Sequence, residues 1–423
     1  MSSILTNNSA MVALQTLNSI NRNLTDVQSQ ISTGFKVGSA KDNAAVFAIS
    51  QVMRSDVAGF EALSESLSLG SSTVAVSSNA AQSVSDLLNT IKGEIVRSNE
   101  NNVNREAIQD EITSLVGQIS SITSAAQFNG LNLLENSELV AEGATVNIAN
   151  IVANIGSQDN EILSSLDRAA DQSVSTNSIS VARQDLTARA GAQGAGTDLA
   201  ATAFTVSGAA AVNGGTSTLT VVGDNAATRG TNRVLAGDSY EIGGLTGVTG
   251  DVRYVAKDGD TLADIAQGLT DRINLQAAAD GIQISASVNG AAITLTNNTA
   301  AAITATSSLN SAGTASGGLE TLNLIDVTTS DGAAAALNAV ESLIQTTIDA
   351  QAALGTSEKR IEIQNDFMST LVDSFKSGIG SLVDADLEEA SARLQSLQVQ
   401  QQLGVQALSI ANQSPQTILS LFR

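Results

Sequence analysis

Residues 10 to 31 set Ala10, Ala13, Leu17, Ile20, Leu24, Val27 and Ile31 in an unbroken alternation of three and four, with Met11 and Leu14 beside it. That spacing keeps one side of an α-helix apolar throughout and is the pattern of a coiled-coil seam. A single stripe of this kind ordinarily faces the core of a globular domain. The far end of the chain carries a second one. A helix predicted from about Asp384 holds Leu387, Ala390, Leu394 and Leu397 in the same register, until Gln401 falls where the next apolar residue is due. The last residues, "ANQSPQTILSLFR", then contain the chain's only proline, Pro415, and the apolar Ile418, Leu419, Leu421 and Phe422. Chain ends usually fray. Fixing this tail costs more conformational entropy than burying those side chains returns, so it needs a partner surface, and the amino-terminal stripe is the obvious candidate in this chain.

The first helix is expected to stop in "STGFKVGSAKDNAAVFAIS", where Gly34 and Gly38 bracket a turn and Ser39 and Asp42 have the spacing of a capping box. A helical pattern follows from Ala44 to about Arg97, and another from Arg105 to about Gln127. At the other end, Leu337, Val340 and Ile344 open a long helical segment running to "SGIGS", residues 377 to 381. Between these arms, residues 195 to 320 are rich in Gly, Ala, Thr and Asn, and the period falls toward two in "DVRYVAK" and in "IQISASV", which precedes Asn289-Gly290 and "AAITLT". That is a hairpin signal. "DTLADIAQGLTDRIN" reads as a helix between them, with "KDGDTLAD" as its turn and cap. The expected fold is mainly α: a long antiparallel helical rod with terminal coiled-coil helices, plus a small inserted α/β, β-rich outer domain. Its divisions are 1–38 with 384–423, 39–194 with 321–383 and a small β region, and the insert 195–320.

Composition narrows the chemistry. With no Cys, His or Trp in 423 residues, zinc sites, disulfides and Cys- or His-dependent catalytic groups are excluded. The 20 basic residues against 42 acidic ones give a net charge of −22, which disfavours nucleic acid and anionic membranes as partners. Residues 1–38 carry a net +1, residues 384–423 a net −2, and the remaining −21 lies between them. Nearly neutral, striped ends with an acidic middle suit ends buried in an assembly and a middle facing water. The start, "MSSILTNNSAMVALQ", has neither the basic nor the apolar region of a cleavable signal peptide. The uncharged run from 394 to 422 is long enough to span a bilayer but holds eight glutamines, so membrane insertion is not expected.

At "SAKDNAAVFAIS", where Ser39, Ala40, Lys41 and Asp42 lead into Ala-Ala and Ala-Ile-Ser, the chain closely resembles bacterial flagellin. "TSAAQFNGLNLL", with Phe128, Asn129 and Gly130, is similar to the family's Phe-Asn-Gly segment. "ALGTSEKRIE", "VDADLEEASARLQ" and "ANQSPQTILSLFR" resemble its carboxyl-terminal segments, so the resemblance covers residues 1–140 and 335–423. It implies a subunit that polymerises with itself into the flagellar filament for swimming motility. The terminal helices would pair in the innermost layer, ordering on assembly, with the insert outside. It also implies export in unfolded form through the flagellar secretion channel, without a cleaved signal, to an extracellular filament. The implied partners are hook-associated junction and cap proteins, an export chaperone and the export apparatus. With the stripes, it implies an assembly core of Leu17, Ile20, Leu24, Val27, Ile31, Leu394, Leu397, Leu403, Ile410, Ile418, Leu421 and Phe422.

Two other readings share some of these features. A hook–filament junction adaptor has the same terminal helices, but "ILSLFR" favours flagellin. Catalysis in the insert would need carboxylates such as Asp238, Glu241, Asp251, Asp258 and Asp260 to act as a pair, and scattered surface acids are the simpler account. No enzyme activity and no cofactor or metal is expected. The glutamines of residues 395 to 406 are either a solvated helix face or a polar, uncharged wall that binds a passing chain weakly. In "LLNTIKGEIVR" the resemblance aligns Leu88, Thr90 and Gly93 with the surface that the innate-immune flagellin receptor reads. Thr90 and Gly93 stand where the family usually has an Arg and a Glu, so weak or absent recognition is expected.

Overall fold

The computed structural model describes residues 7–135, 159–168, 173–193, 204–207, 214–222, 234–257, 259–303, 305–311 and 313–421. The chain begins with three helices, α1 (Asn8–Thr33), α2 (Ala44–Ser98) and α3 (Arg105–Ala125). Short strands β1 (Gln127–Phe128) and β2 (Leu131–Asn132) pair as a hairpin, as do β3 (Asn160–Arg168) and β4 (Val174–Val181). The central region contains β5 (Phe204–Ser207), β6 (Gly215–Val221), β7 (Ser239–Gly243), β8 (Val252–Val255), α4 (Leu262–Ala279), β9 (Ile284–Asn289), β10 (Ala292–Asn297) and β11 (Thr306–Asn310). A 3₁₀ turn (Glu320–Leu324) leads to α5 (Ser330–Val383) and α6 (Leu387–Leu421). The fold is thus mainly α with a β-containing centre, as the periodicity predicts. By contacts the chain divides into two units: Met1–Glu65, Arg168–Val174 and Asn365–Arg423 form one, Ser66–Asp167 and Ser175–Gln364 the other.

In the first unit, Asn7 caps α1 by accepting from the Ala10 amide at 3.1 Å. The helix closes at Gly34, whose φ of 76° suits a residue without Cβ. The expected Ser39–Asp42 box is not the start of α2. Asp42 instead accepts from the Gly38 and Ser39 amides and the Ser39 hydroxyl, closing a turn on itself. Asn43 takes the capping role, with its Oδ1 accepting from Ala45 and Val46. Helices α1 and α6 run antiparallel: Asn7 reaches Ala411 at one end, and Phe35 bridges to Asp384 at the other. A second core gathers Val37, Val57, Val372, Ile379 and Val383, with Phe60 and Phe375 meeting edge to face at 5.4 Å. Helix α6 passes through Pro415 and ends at Leu421.

In the second unit, α2 buries Leu67, Val74, Ala81, Val84, Leu88, Ile91 and Ile95 along one face. Gln351 of α5 donates to the Ala81 carbonyl, and Lys92 pairs with Glu341, so these portions of α2 and α5 are antiparallel. The central region forms two antiparallel sheets, β5-β6-β10-β9 and β11-β7-β8. Helix α4 closes their core through Ile265, Leu269 and Ile273, against Tyr240, Ile242, Leu219 and Ile293. It opens with a full capping box between Thr261 and Asp264, the cap expected within "KDGDTLAD". In the predicted hairpin Asn289 pairs with Ala292, which leaves Gly290 and Ala291 as the loop.

Candidate assembly interface

The amino-terminal stripe faces α6. Ile20 and Val27 are buried with Ala390 and Leu397, and Leu24, Ile31 and Leu394 are half-buried against them. Leu17 belongs to the same face, half-buried, with its Cδ1 near Gly404. A Cβ on Gly404 would lie 3.3 Å from that atom and 3.9 Å from Ile20 Cδ1. The seam on α6 therefore counts 390, 394, 397, 401 and 404. Gln401 does not leave it open: its Nε2 donates to Asn21 Oδ1 at 2.7 Å.

Leu403 and Ile410 lie off this seam, 58% and 68% exposed, because each stands one position before a seam position, 404 and, on the continued count, 411. With Val399 they fall on the face of α6 opposite the seam, while Val405 on α6 and Met11, Val12 and Leu14 on α1 are further exposed apolar residues of the pair. The side chains of Ile418 and Leu421, and all of Phe422, lie outside the described residues. Sequence reasoning missed Gly404, Asn7 and Asn21. Continuing the three–four count past Gln401 would have found the glycine, but hydrophobicity alone does not mark it.

The remaining family segments have structural explanations. Ser39, Ala40, Lys41 and Asp42 are exposed, and the bonds from Ser39 hold the Asp42 carboxyl below its ordinary range. Phe128 ends β1, and Asn129 and Gly130 make the turn to β2 with φ of 51° and 82°, a conformation Asn and Gly tolerate best. Leu88 is fully buried and presents no surface, whereas Thr90 and Gly93 are exposed.

Three of the acids considered for catalysis are engaged in the frame of the insert, and Asp251 is exposed. Asp238 accepts from the Leu235 amide, Glu241 pairs with Arg253 at 3.0 Å, and Asp260 accepts from the Tyr254 hydroxyl and the Lys257 amide at 2.7 Å each. Asp258 lies outside the described residues. Arg272 is buried, pairs with Glu320 and stacks 4.8 Å from the Tyr254 ring centre. Burial pushes the Asp260 carboxyl up, and burial with the neighbouring Asp260 pushes the Tyr254 phenol well up. Among the described residues no cluster of acids is arranged to hold a metal ion, and no helix is long and apolar enough to cross a membrane.

Two terminal helices that pair with each other and still carry apolar residues on their outer faces define a helical subunit built for assembly. Residues 4–138 match the bacterial flagellin N-terminal helical region, and residues 337–422 match the bacterial flagellin C-terminal helical region. Flagellin A of Rhizobium meliloti is 35% identical, with 100% of both chains covered, and Flagellin B of the same species is 32% identical at the same coverage. The chain is also similar to the crystal structure of flagellar hook associated protein-3 from Legionella pneumophila, at 12% identity and a TM-score of 0.38 over 78% of this chain and 98% of that one. The chain belongs to the bacterial flagellin family, a family of structural proteins, and is a subunit of the flagellar filament.

Proposed function

We propose that α1 and α6, within residues 1–38 and 384–423, form the inner core of the filament. Residues 39–194 and 321–383 form the layer around it, and residues 195–320 face outward. The reading is carried by the apolar outer faces of α1 and α6: Met11, Val12, Leu14, Val399, Leu403, Val405 and Ile410 are all about half exposed or more. Their burial requires other copies, and exposed large apolar residues concentrated on one pair of helices favour assembly through that pair. Ile418, Leu421 and Phe422 belong to the same core, so the ends complete their order on polymerisation.

The chain travels unfolded through the flagellar export channel without a cleaved signal, served by an export chaperone and the export apparatus. It meets hook-associated junction and cap proteins at the filament ends. Its role is mechanical and it catalyses no reaction. The exposed Thr90 and Gly93 offer no charge to the innate-immune flagellin receptor, so purified monomer should signal weakly through it.

Deleting residues 411–423 tests the core assignment. A folded, soluble monomer that no longer forms filaments in high salt, seen by electron microscopy, is the expected result. Normal filaments from the truncated chain would overturn it.

A further inference from the structure

Pro415 has no N–H, so the α6 backbone bond that would run from position 415 back to the carbonyl of Ala411 cannot form. A helix that passes through a proline leaves that carbonyl needing another donor. Here the donor comes from the other terminal helix: Asn7 Nδ2 reaches Ala411 O at 2.8 Å, while Asn7 Oδ1 accepts from the Ala10 amide and caps α1. One side chain thus completes the start of α1 and repairs the gap in α6, across 404 residues of sequence.

We propose that Asn7 and Pro415 form a register latch for the terminal helix pair. An uninterrupted α6 offers no carbonyl preferentially to α1, because all its inner carbonyls are used within the helix. The proline releases one of them, at a defined height. Asn7 carries both a donor and an acceptor on one amide, so it engages that carbonyl only when α1 starts opposite Ala411. A slip of either helix by one turn separates them. Apolar contacts alone resist such a slip poorly, since the seam repeats along its length, and a single polar contact is a known means of fixing register. Asn7 acts here as a positioning residue.

Asn7→Ser isolates the latch, because Ser remains a good helix cap but is too short to reach Ala411. Pro415→Ala restores the backbone N–H and makes the latch unnecessary. The readout is the critical concentration for polymerisation of the full chain, with filament uniformity scored by electron microscopy. Asn7→Ser is expected to raise the critical concentration and yield irregular filaments in the Pro415 background. In the Pro415→Ala background the same change should have little effect on the critical concentration. Two results would overturn the proposal: no effect of Asn7→Ser with Pro415 present, or an equal effect in both backgrounds, which would reduce Asn7 to an ordinary cap.

Discussion

Gln401 on α6 donates to Asn21 on α1 at 2.7 Å, closing the seam where its apolar count first lapses. The pair is solvent-exposed, so its net worth falls at or below the usual 0.5–1.5 kcal/mol of a protein hydrogen bond, about the smallest interaction that a melt resolves. An apolar side chain at 401 would instead continue the contacts of Leu397. Gln401→Leu is expected to raise the temperature at which filaments dissociate, followed by circular dichroism. A lowered temperature would show that the amide pair contributes more than the apolar contact replacing it.

Three positions along the seam, Gly404 faces the tips of Leu17 and Ile20. Leu17 Cδ1, 3.3 Å from an added Cβ, is the tip of a flexible side chain and can yield a few tenths of an ångström. Gly404→Ala should therefore be neutral or stabilising, by up to about 1 kcal/mol from helix propensity. Gly404→Leu has no such space and should cost roughly 1–3 kcal/mol. Denaturation midpoints of the two variants, compared with wild type, give the order Ala, wild type, Leu.

Much of this was legible because regular spacing encodes a helix face directly. Leu17 through Ile31 fall in the seam as their spacing requires, and Gly34 stops α1 where a residue without Cβ is needed. Capping was less legible, since Ser39–Asp42 and Asn43 both offer cap chemistry within five residues. Only geometry shows that Asp42 spends its oxygen on Gly38 and Ser39. Leu403 and Ile410 show a different limit: composition marks them as apolar but does not say whether they face α1 or another copy. Leu88 fails for the opposite reason, because a helix buried on one face hides a residue whose neighbour Thr90 is exposed. The Arg272–Glu320 pair joins residues 48 apart through tertiary folding, and no local pattern announces it.

Gly268 lies under the Tyr254 ring: a Cβ there would sit 2.4 Å from Cδ2 and Cε2 of Tyr254. The ring cannot retreat freely, because its hydroxyl is bonded to Asp260 and its face lies near Arg272. Gly268→Ala gains helix propensity inside α4 but overpacks this contact, and the second effect should prevail. A loss of roughly 1–3 kcal/mol is expected. Both tyrosines of the chain, Tyr240 and Tyr254, lie in the insert, and there is no tryptophan, so tyrosine emission during urea unfolding reports this region directly.

The same probe tests a pH dependence centred on Asp271. This carboxyl is buried on α4 beside a polar cleft of about 370 Å³, with Gln267 and Arg272 from its own helix and Ser342 from α5 closest to it. Lys257, Asp260, Asp264 and Asp349 are the other charged residues that line the cleft. Burial pushes Asp271 up to about 6 from an ordinary 3.8, outweighing the opposing hydrogen bonds and the Arg272 charge. Between these values the folded chain holds a proton that the unfolded chain has lost, so stability falls as pH rises through about 6. Asp260 is raised for the same reason and adds in the same direction. The unfolding free energy from urea titration should be higher at mildly acid than at mildly alkaline pH, by roughly 1–2 kcal/mol between about pH 5 and 7.5. Asp271→Asn keeps the shape and removes the titrating proton, so it should flatten most of that slope. A slope unchanged in Asp271→Asn would assign the effect to Asp260 or to Asp185, which burial also raises.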